Sequence, residues 1–213
     1  MTTRPAMVSN FLRPPRTASA WGADAVRVAG LLSVIVAAVW FEPTDAGILA
    51  LALPALVVPR FIGVRPSFDI VSGITVLVAA WSNVVDLYRT LEWWDIPMHL
   101  VCTAVLAALA YLAAAEFDVV PRPGTAGFRA RTGIVVTTAL GLALSAVWEM
   151  IEWLGKAFVD SIYVTYDDTI GDMAVGGIGS LVAGIVVARV RLLARDAAPA
   201  ASAGRAPDVT PAR

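Results

Sequence analysis

Six long apolar stretches leave this chain few ways to fold. They lie near residues 26–41, 46–64, 69–88, 96–115, 133–154 and 169–193. A helix needs roughly 20 such residues to cross a hydrocarbon core about 30 Å thick. Lipid cannot satisfy backbone N–H and C=O groups, so a spanning segment that is not part of a barrel must be helical. The pattern therefore predicts an all-α polytopic membrane protein, a six-transmembrane-helix bundle. The first stretch is short for a span and is expected to start a few residues earlier. Composition agrees: 58% of the 213 residues are hydrophobic, against about 45–50% apolar residues in soluble domains.

The flanks read differently. Residues 1–25, rich in Pro, Arg, Ser and Thr, are expected to form a flexible cytoplasmic arm. Residues 194–213, rich in Ala and Pro, are expected to form a disordered cytoplasmic tail. Residues 26–193 form the membrane domain between them. No cleavable signal peptide is expected, because no small-residue cleavage pattern follows the first apolar run. Cys102 is the single cysteine, which excludes an intrachain disulfide. No basic block or zinc-finger spacing points to nucleic acid.

Charge orients the bundle. Of 16 basic residues, only Arg89 and Lys156 fall on one side when six spans alternate. All the others, from Arg4 through Arg60, Arg65 and Arg131 to Arg195, fall on the other. The positive-inside rule places that basic side, and both termini, in the cytoplasm. The protein is thus expected in a bacterial cytoplasmic (inner) membrane, with Trp93, Trp94, Trp148 and Trp153 as boundary aromatics. Pro54 is expected to kink the second span and Arg60 to snorkel from its end. Gly171, Gly176, Gly177 and Gly179 give the sixth a small-residue packing face.

Six polar residues then gather at the opposite, extracytoplasmic ends. Asp95 and His99 open the fourth span, Glu149 and Glu152 close the fifth, and Asp168 and Asp172 open the sixth. Spacings of three or four put each pair on one helix face, and Ser145 lies one turn from Glu149 on the same face. A carboxylate at the bilayer centre costs roughly 2.5–3.5 kcal/mol on insertion scales, so charges within spans need a reason. Packed carboxylates repel unless protons or a cation intervene. Carboxylates with one imidazole suit magnesium, manganese, iron or zinc, so a divalent metal ion is the expected cofactor. Each acid also has a plainer reading as a solvated helix-end residue, and Asp168 and Asp172 as favourable first-turn charges. The segment 155–166 reads equally as an extended lid or an amphipathic surface segment.

The ordered motifs Trp-Asp95-Ile-Pro-Met-His99, Trp-Glu149-Met-Ile-Glu152-Trp and Asp168-Thr-Ile-Gly-Asp172-Met resemble the YjdF-like family of bacterial inner-membrane proteins. The likeness covers about half the chain. It implies a shared fold and site and brings no established activity with it. A more distant likeness is to VanZ-like membrane proteins. The chain departs from them at Ile96, Glu152 and Gly176, and no resistance role is transferred.

Together these features suggest a metal-binding or enzyme-like site acting on an envelope lipid or lipid-linked substrate. His99, Glu149, Glu152, Asp168 and Asp172 would bind the cation, and Asp95 would orient His99. Two alternatives stay open. One is an ion- or proton-coupled transporter, against which stands the lack of a visible polar trail inward from the cluster. The other is a non-catalytic scaffold with an interhelical polar lock.

Overall fold

A computed structural model describes residues 6–91, 93–158 and 164–194. The described residues form eight helices: α1 (Ala6–Phe11), α2 (Ala18–Trp40), α3 (Pro43–Ile62), α4 (Pro66–Val84), α5 (Leu87–Thr90), α6 (Asp95–Glu116), α7 (Ala130–Gly155) and α8 (Tyr166–Arg189). Six of them, α2, α3, α4, α6, α7 and α8, are long and apolar enough to cross a membrane. Helices α2, α3 and α4 form one three-helix group and α6, α7 and α8 the other, meeting where α6 packs on α3 and α4.

The helix ends follow local chemistry. Thr17 caps α2 by accepting the Ala20 N–H at 3.2 Å. Pro43 and Pro66 open α3 and α4 from the first turn, where their missing N–H costs no helical bond. Gly63 ends α3 in the left-handed conformation with φ 76°, which glycine adopts without a Cβ penalty. Asp86 takes φ 56° between α4 and α5, so the third span stops at Val84 instead of running to residue 88. Asp95 lies inside the first turn of α6, whose N-cap is Trp94.

At the amino-terminal end the first span begins at Ala18, earlier than residue 26 as expected, and residues 6–11 form a short helix within the expected arm. Tertiary contacts that hydropathy does not register hold that short helix. Asn10 donates to the Phe61 carbonyl at 3.2 Å, and Phe11 stacks on Phe61 with ring centroids 4.4 Å apart. Arg60 does not snorkel away. It donates to the Phe11 and Arg13 carbonyls and pairs with Asp24 at 3.5 Å. The carboxyl end joins the same region, where Arg65 N–H meets Leu192 O at 2.7 Å and Ala194 N–H meets Gly63 O at 3.0 Å. Residues 1–5 and 195–213, the outer parts of the expected arm and tail, lie outside the described residues.

Pro54 and Pro59 both sit inside α3, and each removes one helical donor. Arg27 of α2 reaches α3 near the second of them, with Nε donating to Leu56 O at 3.0 Å. It also pairs with Asp24 at 2.8 Å and with the buried Asp69 of α4. One guanidinium thus ties three helices. Asp69→Asn keeps a bonding oxygen but removes the charge, and should cost about 2 kcal/mol, read as a lower melting temperature in detergent.

The second group packs in layers. The face of α7 that turns inward is Gly133, Thr137, Gly141, Ser145 and Glu149, one residue every four. A Cβ on Gly141 would meet Ser180 Oγ at 1.9 Å and Ala107 Cβ at 2.8 Å. One turn further, a Cβ on Gly176 would meet Ser145 Oγ at 2.8 Å and Thr103 Oγ1 at 3.0 Å. Small residues therefore let α6, α7 and α8 approach closely. The expected small face of α8 is revised in detail. Gly176, Gly177 and Gly179 are packed, Gly171 touches nothing within 4 Å, and Gly184 joins the face against Ile134.

Candidate metal centre

The layer above Thr103, Ser145 and Gly176 is His99, Glu149 and Asp172. Each stands four residues along its helix from the layer below, so close packing of the small residues brings the three polar side chains together. His99 Nε2 lies 3.3 Å from Asp95 Oδ1 and 3.9 Å from Asp172 Oδ2. His99 Nδ1 lies 4.0 Å from Glu149 Oε1. The imidazole thus faces acids from its own helix and from both neighbours.

Two groups of ligand atoms result, Asp95–His99–Asp172 and His99–Glu149–Glu152, each within 4.8 Å of one another. Atoms sharing an ion at roughly 2.1 Å stand about 3–4 Å apart, so either group can hold a metal ion after small side-chain shifts. The set is buried: the side chains of His99 and Glu149 are 11% and 5% exposed. Glu149 Oε1 has no hydrogen-bond partner among the described residues, and neither does Ser145 Oγ. A buried carboxylate oxygen without a donor is costly, and it invites a cation or water.

The structure brings together five of the six residues singled out from sequence: Asp95, His99, Glu149, Glu152 and Asp172. Asp168 stands apart from both groups. It lies in the first turn of α8, where its backbone N–H donates to Thr165 Oγ1 at 3.3 Å. There it complements the helix dipole beside Asp167. Segment 155–166 is braced at its described ends by Lys156 Nζ, which donates to Val164 O at 2.9 Å. Its centre, residues 159–163, lies outside the described residues.

Three contributors were not foreseen. Thr103 lies one turn beyond His99 on the same face, a spacing that was there to be read. Tyr88 of α5 donates to Ala79 O at 3.2 Å. Burial first, then Cys102, Asp95 and Glu152, hold its phenol above the ordinary tyrosine value, so it stays protonated and serves as a donor. Trp94 Nε1 donates to Ser82 Oγ at 2.9 Å, which makes it a tie between the two halves, while Trp93 is exposed.

The fold and cluster define an integral membrane protein with six apolar helices and a buried histidine–carboxylate group between three of them. The chain belongs to the family described as a predicted membrane protein, DUF2238, whose model matches residues 25–192. No curated protein and no solved structure matches it.

Proposed function

We propose that the protein binds a divalent cation at the His99 cluster and acts there on an envelope lipid or lipid-linked substrate. The observation that carries this reading is Glu149 Oε1, buried and with no hydrogen-bond partner among the described residues, 4.0 Å from the imidazole that Asp95 and Asp172 also face. The donor set of carboxylate oxygens and one imidazole fits magnesium, manganese, iron or zinc. Bound there, a cation supplies charge that polarises a phosphoryl or carbonyl oxygen or activates water. Glu149 and His99 Nδ1 would hold it, with Glu152 as the third residue of that group, while Asp172 lies on the Nε2 side. Asp95, on the other imidazole nitrogen from Glu149, would fix the ring. A glutamate left unligated would serve as base. Asp168 would act on the cation only through its charge.

Orientation supports the substrate class. Arg60, Arg65, Arg129 and Arg189 lie at the end of the bundle away from the cluster. Under the positive-inside rule this arrangement supports an extracytoplasmic location for the cluster, near headgroup depth in a bacterial cytoplasmic membrane. The YjdF-like motif resemblance agrees with that placement. The test is hydrolysis of phosphate-bearing lipids in proteoliposomes with and without chelator. Turnover restored by one added metal supports the reading, and turnover indifferent to chelation contradicts it. Asp95→Asn should weaken metal affinity about 10–100-fold while the protein stays folded, as read by competition with a fluorescent chelator.

One observation favours a second reading, transport. Polar side chains succeed one another across helices below the cluster, which supports a trail: Thr103 and Ser145 lie against Gly176, Ser180 lies against Gly141, and Thr137 Oγ1 is buried with no partner among the described residues. Proton or cation flux in proteoliposomes that disappears in Glu149→Gln would establish it. The scaffold reading predicts instead that Glu149→Gln lowers thermal stability and alters neither metal content nor flux.

A further inference from the structure

A cavity of about 310 Å³ lies at the opposite end of the bundle from the carboxylate cluster, and its lining includes Arg13, Arg16, Arg60 and Arg65. Among the described residues one acid, Asp69, lines it, and Asp69 is buried and already paired with Arg27. Arg60 is partly neutralised by Asp24 at 3.5 Å. Arg16 and Arg65 face no acid among the described residues, and both are exposed. Arg65 commits one nitrogen, Nη1, to Arg191 O at 3.2 Å, which leaves the rest of its donor fork.

Backbone adds to the charge. Two long helices, α2 and α4, begin at the cavity rim with Thr17 and Pro66. Thr17 Oγ1 satisfies Ala20 N–H, and the first-turn N–H groups of Ala18 and Ser19 have no partner among the described residues. Helix starts carry partial positive charge and free donors. Guanidinium forks match phosphate geometry, and clustered arginines at a membrane surface attract anionic headgroups.

We propose that this cavity binds a phosphate group, presented by an anionic lipid headgroup or by a soluble phosphate. The site is separate from the His99 cluster and does not depend on its reading. Full-chain protein in detergent is titrated with short-chain phosphatidylglycerol, phosphatidylcholine and inorganic phosphate, for wild type, Arg16→Gln/Arg65→Gln and Arg89→Gln. Saturable phosphatidylglycerol binding is expected, weakened about thirty-fold by the double substitution and unchanged by Arg89→Gln at the other end. Inorganic phosphate that competes at similar concentration, with the same variant dependence, identifies a soluble phosphate as the ligand; no competition identifies the lipid. Arg16→Gln alone, at a side chain with no hydrogen bond or ion pair among the described residues, tests the site if the double variant fails to fold. Binding that is equal in wild type and all variants, or absent for every probe, overturns the proposal.

Discussion

Gly179→Ala is expected to destabilise the bundle by about 3 kcal/mol, the upper part of the usual range for overpacking. A Cβ there would lie 2.1 Å from Leu100 O and 3.0 Å from Leu100 C. Both are backbone atoms, so no rotamer change relieves the overlap, and α6 and α8 must separate. Leu100 follows His99 directly, so the same movement displaces the imidazole from Asp172 and Glu149. Gly171→Ala is the control. Nothing lies within 4 Å of that position, and alanine is favoured over glycine in a helix by roughly 0.5–1 kcal/mol. Melting in detergent should show a large loss for the first variant and none for the second. Equal behaviour would mean that α6 and α8 do not pack as closely as described.

His99→Ala is expected to have the largest effect on the proposed site. The imidazole belongs to both groups of ligand atoms, so its removal dismantles each of them at once. Metal affinity should fall by more than the about 10–100-fold that loss of a group behind a ligand causes. Glu149→Gln keeps the side-chain shape, removes the charge, and should also abolish binding. Neither change should unfold the bundle, because the packing layers below the cluster are Thr103, Ser145, Gly176 and then Ala107, Gly141, Ser180. A metal lost with unchanged melting temperature separates a binding site from an interhelical lock. An interhelical lock would instead lose stability on substitution.

Much of this was legible before any coordinates, for identifiable reasons. Hydropathy reports what lipid demands of a segment, and six segments met that demand. The four-residue spacing reports faces within one helix, so Asp95 with His99 and Glu149 with Glu152 were paired correctly. Spacing does not report how one helix is rotated against another. That is why the alignment of Thr103, Ser145 and Gly176 went unseen, although each lies one turn from a cluster residue. Nor does spacing report position along the helix axis: Asp168 lies one turn nearer the start of α8 than Asp172 and is in neither group of ligand atoms. Contacts made by polar side chains to distant backbone were equally hidden. Asn10 and Arg60 hold the amino-terminal helix through Phe61 O, Phe11 O and Arg13 O, and no local pattern marks those acceptors. Arg27 looked like one more basic residue near a span end and proved to be the tie among α2, α3 and α4.

The central claim is that the histidine–carboxylate cluster is a metal centre. Elemental analysis of detergent-purified wild type beside His99→Ala and Glu149→Gln, each after addition of manganese, magnesium and zinc and removal of excess, addresses it directly. The expected result is near-stoichiometric metal in wild type and none in either variant. Metal absent from all three, or retained equally by all three, contradicts the account and leaves the cluster to proton sharing or transport.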